Sequence, residues 1–238
     1  ILGLLFFNPS LRTMSSFQAG MARLGGSSFV ISAGNGTWQL ETRRGAIMDG
    51  VAAEHVREGV PVLSHYCDVL GIRAFAGGTN LNEDLAETSF REMTSLVAKP
   101  VINMESAVNH PCQALADWKT MDDLGLPQRA KFVLSWVNHP RALPLAVPSA
   151  TVHMAAMRGM DVVVLRPEGF AWPDAIMAKA RAAADSAGGT LRETSNRAEA
   201  LAGAQVVYAK EWGCTSQYGN ADVDRELRSE LIDWCVRD

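Results

Sequence analysis

Short apolar runs, each closed by a polar turn and followed by residues with helical spacing, recur along the chain. The first is Ile1-Leu2-Gly3-Leu4-Leu5-Phe6-Phe7, continuous rather than alternating, as in a parallel strand buried on both faces, and too short to span a bilayer. Asn8-Pro9-Ser10-Leu11-Arg12-Thr13 then leads into a helix predicted over residues 13–24. The same pattern predicts strands over 28–32, 68–75 and 100–104, helices over 50–64 and 81–97, and a helix after His110 that runs to residue 124. Past Leu126-Pro127-Gln128 the alternation restarts, with strands over 131–136, 161–165 and 204–209 and helices over 142–157 and 174–187. The expected class is α/β, two doubly wound parallel-sheet domains covering 1–125 and 126–238.

Composition narrows this picture without changing it. A content of 47% hydrophobic and 20% charged residues is that of an ordinary globular protein, and the net charge of −4 offers no general basic field for nucleic acid, so any anion site has to be local. The four cysteines, Cys67, Cys112, Cys214 and Cys235, are scattered and form no C-x-x-C pair, which favours reduced cytoplasmic thiols over disulfides or a metal site. No signal peptide or membrane-spanning run is present, so neither a membrane nor a nucleic acid is an expected partner.

The candidate chemistry collects at predicted strand ends, where open α/β sheets bind ligands. Ser10, Leu11, Arg12 and Thr13 open a helix directly after a strand, offering backbone N–H groups, hydroxyls and a forked guanidinium to a phosphate; a plain capped helix start is the other reading. Arg73 lies near the end of the strand over 68–75, against the alternative of a surface ion pair. Glu105 and then His110-Pro111-Cys112-Gln113 follow the strand over 100–104, and Lys210 follows the strand over 204–209. Trp38 stands after the turn Ala33-Gly34-Asn35-Gly36-Thr37, where a loop tryptophan would cover a ligand or a neighbouring subunit. Trp136-Val137-Asn138-His139-Pro140-Arg141 occupies the place where a dinucleotide fold would carry G-x-G-x-x-G, and the chain has no Walker lysine motif, G-x-S-x-G or H-E-x-x-H. A dinucleotide-dependent oxidoreductase therefore stands on fold analogy alone.

With S-x-R-T at residues 10–13 and H-P-x-Q at 110–113, roughly 100 residues apart, the chain resembles the carbamoyltransferase family. It looks most like the N-acylornithine branch, through Gly36-Thr37-Trp38-Gln39-Leu40-Glu41-Thr42, Asn103-Met104-Glu105 and His139-Pro140-Arg141-Ala142-Leu143-Pro144. The resemblance implies a homotrimer with active sites at subunit interfaces and transfer of a carbamoyl group from carbamoyl phosphate to an N-acylornithine in arginine biosynthesis, without metal or organic cofactor. It assigns the phosphate to Ser10, Leu11, Arg12, Thr13 and Arg73, and the carbamoyl group to His110 and Gln113, with Arg12 and His110 catalytic. The acylornithine falls to Trp38 of the adjacent subunit, Ala53, Glu105 and Lys210. Ala53 stands where acetylornithine-selective members carry glutamate and succinylornithine-selective members proline, so N-succinylornithine is the expected acceptor ahead of N-acetylornithine.

Three departures accompany the resemblance. Met14 replaces the usual arginine, and Pro148-Ser149-Ala150 stands where the branch has P-N-S. Family members also carry an N-terminal helix before the equivalent of Ile1 and an H-C-L-P segment beyond that of Asp238 that completes their site. The alternative this leaves is a truncated, non-catalytic carbamoyltransferase-like binding protein.

Overall fold

The computed structural model describes residues 1–237. Two compact units emerge, one built from Ile1–Ala76 with Glu83–Ala107, the other from Gly77–Asn82 with the chain from Val108 onward. In chain order the elements up to residue 105 are β1 (Leu2–Phe6), α1 (Leu11–Arg23), β2 (Ser28–Ser32), β3 (Leu40–Glu41), β4 (Glu54–His55), α2 (Val56–His65), β5 (Val69–Arg73), α3 (Leu81–Ala86), α4 (Thr88–Ser95) and β6 (Val101–Glu105).

Strands β2, β1, β5 and β6 form a parallel sheet in that order, with Leu4 facing Val30 on one side and Gly71 on the other. The centre of the sheet is β1, buried at every position, which is why its sequence is apolar throughout rather than alternating. Leu5, Val56, Val60 and Ile72 pack on one face, and Leu2, Leu4, Phe6 and Met104 on the other, where Met14 and Phe17 of α1 close over them. The methionine found in place of an arginine is thus a core contact. Gly71 permits the closeness of this packing: a Cβ there would stand 3.0 Å from the Met104 sulfur and 3.1 Å from Leu4. After β2 the chain crosses β1 to reach β5, so the direction of winding reverses between β1 and β5.

The second unit holds α5 (Pro111–Asp123), β7 (Lys131–Ser135), α6 (Ala146–Met157), β8 (Asp161–Leu165), α7 (Asp174–Ala187), β9 (Thr190–Thr194), α8 (Arg197–Leu201), β10 (Val206–Ala209) and α9 (Ala221–Ser229). Its sheet runs β10, β7, β8, β9, again parallel, and winding reverses between β7 and β10. Helix α6 is buried over most of its length between α5 and α7, an all-round apolar helix rather than an amphipathic one. Among the described residues no helix is long and apolar enough to cross a membrane.

Several boundaries differ from the sequence pattern. The helix expected over 81–97 is broken at Glu87, whose φ of 52° is left-handed, and its carboxylate accepts the Ser106 hydroxyl instead of pointing to solvent. The helix expected from residue 50 begins only at Val56, because the chain before it pairs β4 with β3 and His55 Nδ1 caps the Arg57 N–H at 3.1 Å. Helix α6 begins at Ala146 rather than 142, since Pro144 disfavours helical geometry just before it, whereas Pro148 sits in the first turn where its missing N–H costs nothing. The edge strand β9 and the polar helices α8 and α9 carry too few apolar residues to register as elements.

Arg158 shows how the second unit is pinned. Its buried guanidinium donates to Asp122 Oδ1 at 2.9 and 3.1 Å, to Leu126 O at 2.7 Å and to Pro127 O at 3.0 Å, tying the exit of α5 to the end of α6. Arg158→Met keeps most of the volume but leaves two carbonyls and a carboxylate without their donor. Because Asp122 remains partly solvated, the expected loss is about 2–3 kcal/mol, read from the urea midpoint. An unchanged midpoint would show that water replaces the guanidinium without cost.

Candidate active site

At the carboxyl ends of β1, β5 and β6 the first unit assembles an anion-ready surface. Ser10 caps α1: its Oγ accepts the Thr13 N–H at 3.3 Å and its hydroxyl donates to Thr13 Oγ1 at 2.9 Å. No acidic residue lies in the first turn, so the positive end of the helix is not neutralised within it, while Leu11 and Arg12 are exposed. Arg73 closes β5 directly beside Phe6, and two bonds hold the two strand ends together: Phe7 N–H to Arg73 O at 2.9 Å and Phe75 N–H to Asn8 Oδ1 at 2.8 Å. The reversal of winding falls between these same strands, where open α/β sheets bind ligands.

Arg73 is 8% exposed, and its charge is met by Glu105 from the end of β6 in a close ion pair. Its guanidinium carbon also lies 4.6 Å from the centre of the Phe75 ring, while its buried Nε has no hydrogen-bond partner. One edge of the arginine thus carries a hydrogen bond that the protein leaves unmade, a polar group that costs stability until something accepts from it. Nearby, the Asn103 side chain donates to the Ser106 hydroxyl at 2.7 Å, and that hydroxyl donates to the Glu87 carboxylate.

Trp38 and Ala53 stand elsewhere in this unit, on either side of Glu54. Trp38 is 60% exposed at a loop tip and donates through Nε1 to Glu54 Oε2 at 3.2 Å, beside an apolar cavity of about 380 Å³ lined by Ile31, Leu40 and Val62. Ala53 lines a separate cavity of about 450 Å³ together with Met48, His55 and Arg57. Arg57 is anchored there by Glu92 at 2.6 Å.

In the second unit His110 is the N-cap of α5, its Nδ1 accepting the Gln113 N–H at 3.3 Å, which assigns the neutral ring's proton to Nε2, a donor. One turn on, Gln113 Nε2 donates to Asp117 Oδ1 at 2.9 Å. Lys210 follows β10, its N–H bonded to Ser135 O at 2.9 Å, and so lies at this sheet's own reversal of winding. Ser149, in the P-S-A departure, is buried within the first turns of α6.

Sequence reasoning passed over Glu211, the next residue after Lys210. It is 1% exposed, accepts the Leu143 N–H at 2.6 Å through Oε2, and has Arg228 4.0 Å from Oε1, too far for a hydrogen bond. Arg228 instead binds Asp224 at 2.7 Å and the His139 carbonyl at 2.7 Å, and Asp224 accepts the Cys214 N–H at 2.7 Å. These contacts weld the loop after β7, the loop after β10 and α9 into one piece. Burial outweighs the Leu143 hydrogen bond and the Arg228 charge and pushes the Glu211 carboxyl up from 4.5 to about 8. A glutamate two residues past an apolar strand was the available signal.

Two family models match the chain: the carbamoyl-P binding domain of aspartate/ornithine carbamoyltransferase over residues 1–123, and the Asp/Orn binding domain over 146–237. The chain is 37% identical to the N-acetylornithine carbamoyltransferase of Xanthomonas campestris pv. campestris, covering 99% of this chain and 70% of that protein. It is 34% identical to the N-succinylornithine carbamoyltransferase of Bacteroides thetaiotaomicron, covering 99% and 69%. Among solved structures, a mutant N-acetyl-L-ornithine transcarbamylase complexed with carbamyl phosphate and N-succinyl-L-norvaline superposes with a TM-score of 0.92 at 35% identity, covering 99% of this chain and 72% of that one. An acetylornithine transcarbamylase complexed with acetylcitrulline matches with a TM-score of 0.92, at 35% identity, covering 99% and 71%.

The raised Glu211 pKa has a definite sign in stability. Between pH 4.5 and about 8 the unfolded chain has released this proton while the folded chain retains it, so stability falls as pH rises through that window. Glu211→Gln keeps an acceptor for Leu143 and removes the titration. The variant should gain on the parent between pH 5 and 8, the gap widening by ~1.4 kcal/mol for each step of one in pH, a few kcal/mol in all. Paired urea titrations across that range check this, and a constant gap would mean that Glu211 is ionised in the folded chain.

Proposed function

The chain belongs to the aspartate/ornithine carbamoyltransferase family, and on that premise we propose that it transfers the carbamoyl group of carbamoyl phosphate to the δ-amine of an N-acyl-L-ornithine, giving N-acyl-L-citrulline and phosphate in arginine biosynthesis. The observation that carries the reading is the uncompensated N-terminus of α1 at the β1/β5 reversal, with Arg73 beside it offering a buried, unbonded Nε. Residues 1–125 serve as the carbamoyl-phosphate domain and 126–238 as the acylornithine domain.

In this mechanism Ser10, Leu11, Arg12, Thr13 and Arg73 hold the phosphate, the first four through α1's N-terminal N–H groups and side chains. His110 through Nε2–H and Arg12 donate to the carbamoyl carbonyl oxygen, and Gln113 accepts from the carbamoyl N–H. The acceptor's amine nitrogen attacks the carbonyl carbon, the oxygen gains negative charge, and the carbon–oxygen bond to phosphate breaks. The departing phosphate takes the amine proton, so no separate base is required. Each donor aimed at the developing oxyanion is worth ~3 kcal/mol, the scale of an oxyanion-hole contact. Glu105 and Lys210 receive the acylornithine. The enzyme acts in the cytoplasm as a homotrimer in which the exposed Trp38 serves the adjacent subunit's site.

N-succinylornithine is the favoured acceptor, with N-acetylornithine next. Ala53 presents only a methyl to its cavity, whose wall His55 and Arg57 share with Glu58 and with Glu54, the latter engaged by Trp38, so a distal carboxylate meets no carboxylate at residue 53 itself. A glutamate there would set two like charges ~4 Å apart, costing about 4 kcal/mol at an effective dielectric near 20.

Transfer to ornithine, N-acetylornithine and N-succinylornithine, measured side by side as the citrulline product, tests the reading. The expected order puts N-succinylornithine first, and Ala53→Glu should shift kcat/KM towards N-acetylornithine by up to ~10³-fold. A preference for N-acetylornithine before mutation would reverse the acceptor assignment. Saturable carbamoyl-phosphate binding with no transfer to any acceptor would favour the non-catalytic binding protein.

A further inference from the structure

A glutamine amide is almost symmetric in shape but not in chemistry, since one end only accepts and the other only donates. The carbamoyl group has the same two ends. With its carbonyl oxygen taken by Arg12 and His110, what remains for Gln113 is the NH₂, which needs an acceptor. Gln113 supplies one only if Oε1 faces the ligand; turned over, it opposes donor to donor.

The α5 helix contains the group that decides between these states. Asp117 lies one turn beyond Gln113, and its Oδ1 accepts from Gln113 Nε2 at 2.9 Å. An ionised carboxylate has no proton to give, so the reversed amide would place oxygen against oxygen. Hydrogen bonds to an ionised acceptor are also about twice as strong as neutral ones. We propose that Asp117 is a positioning residue that fixes the orientation of the Gln113 amide, so that its oxygen is the atom presented to the carbamoyl NH₂.

The remainder of the turn fits this role. The Gln113 backbone N–H is held by His110 Nδ1 at 3.3 Å, so one turn of helix fixes a donor in the imidazole Nε2–H and an acceptor in the glutamine oxygen, the pair an amide-like ligand requires. Asp117 is itself half-buried, and burial holds its carboxyl above the usual value although hydrogen bonds from Gln113 and from Tyr208 oppose the rise. An ordinary helix-surface pair would serve neither purpose.

The inference rests on the reading of Gln113 as a carbamoyl ligand, and the experiment separates the two. Calorimetric Kd values for carbamoyl phosphate and for inorganic phosphate, which has no carbamoyl group, are compared for the parent, Asp117→Ala, Gln113→Ala and the double variant. Asp117→Ala should weaken carbamoyl phosphate by about tenfold, the loss of one correctly oriented hydrogen bond, with phosphate unchanged, and should have no further effect once Gln113 is removed. Asp117→Asn, whose amide can meet either face of Gln113, should lie between Ala and the parent and guards against a folding failure of the alanine variant. Equal weakening of both ligands, additive effects in the double variant, or an effect of Gln113→Ala with none from Asp117→Ala would overturn the positioning role. Unchanged carbamoyl-phosphate affinity in Gln113→Ala would overturn the reading of Gln113 beneath it.

Discussion

A strand buried on both faces satisfies its backbone through its neighbours and offers nothing polar along its length. In a parallel sheet all such strands run out at the same edge, and each is followed by a turn and the start of a helix. Polar chemistry is therefore forced to one edge. The fully apolar β1 depends on this rule most heavily: the first polar side chains after it are those of residues 8–13, and they emerge at the point where the winding reverses and no crossover covers the edge. The chain builds this arrangement twice, around β1 and β5 and again around β7 and β10.

Charge buried at these edges has to be compensated, and the manner of compensation differs between the units. Arg73 is met by a single carboxylate, Glu105, and keeps one unmade hydrogen bond, an arrangement that holds the guanidinium in place without saturating it. Glu211 is met by an amide and a distant arginine that prefers Asp224, so its carboxyl takes the other route open to a buried acid and retains its proton. The first arrangement leaves capacity for a ligand, while the second fixes the loops around Lys210.

What could be read from the sequence followed the strength of the local signal. The buried strands were legible because short continuous apolar runs such as Leu2 to Phe6, closed by polar turns, suit a parallel core, and the α/β class followed from their spacing. Ser10 to Thr13 and His110 to Gln113 were legible as motifs because helix starts after strands use few residue types. The break at Glu87 was not, because the periodicity of 81–97 continues through it and the bond that stabilises the left-handed turn comes from Ser106, distant in sequence. Nor was the buried network of α9, since Asp224 and Arg228 have the appearance of a solvated helix face until Glu211 and the His139 carbonyl are packed against them. Side-chain partnerships between loops leave no periodic trace.

The claim on which the rest turns is that the phosphate is received at the β1/β5 reversal. A crystal structure with carbamoyl phosphate bound tests it most directly. Phosphate oxygens are expected within hydrogen-bonding distance of the α1 N-terminal N–H groups, of Arg12 and of Arg73. Phosphate seated away from residues 10–13 and Arg73, at full occupancy, would contradict it.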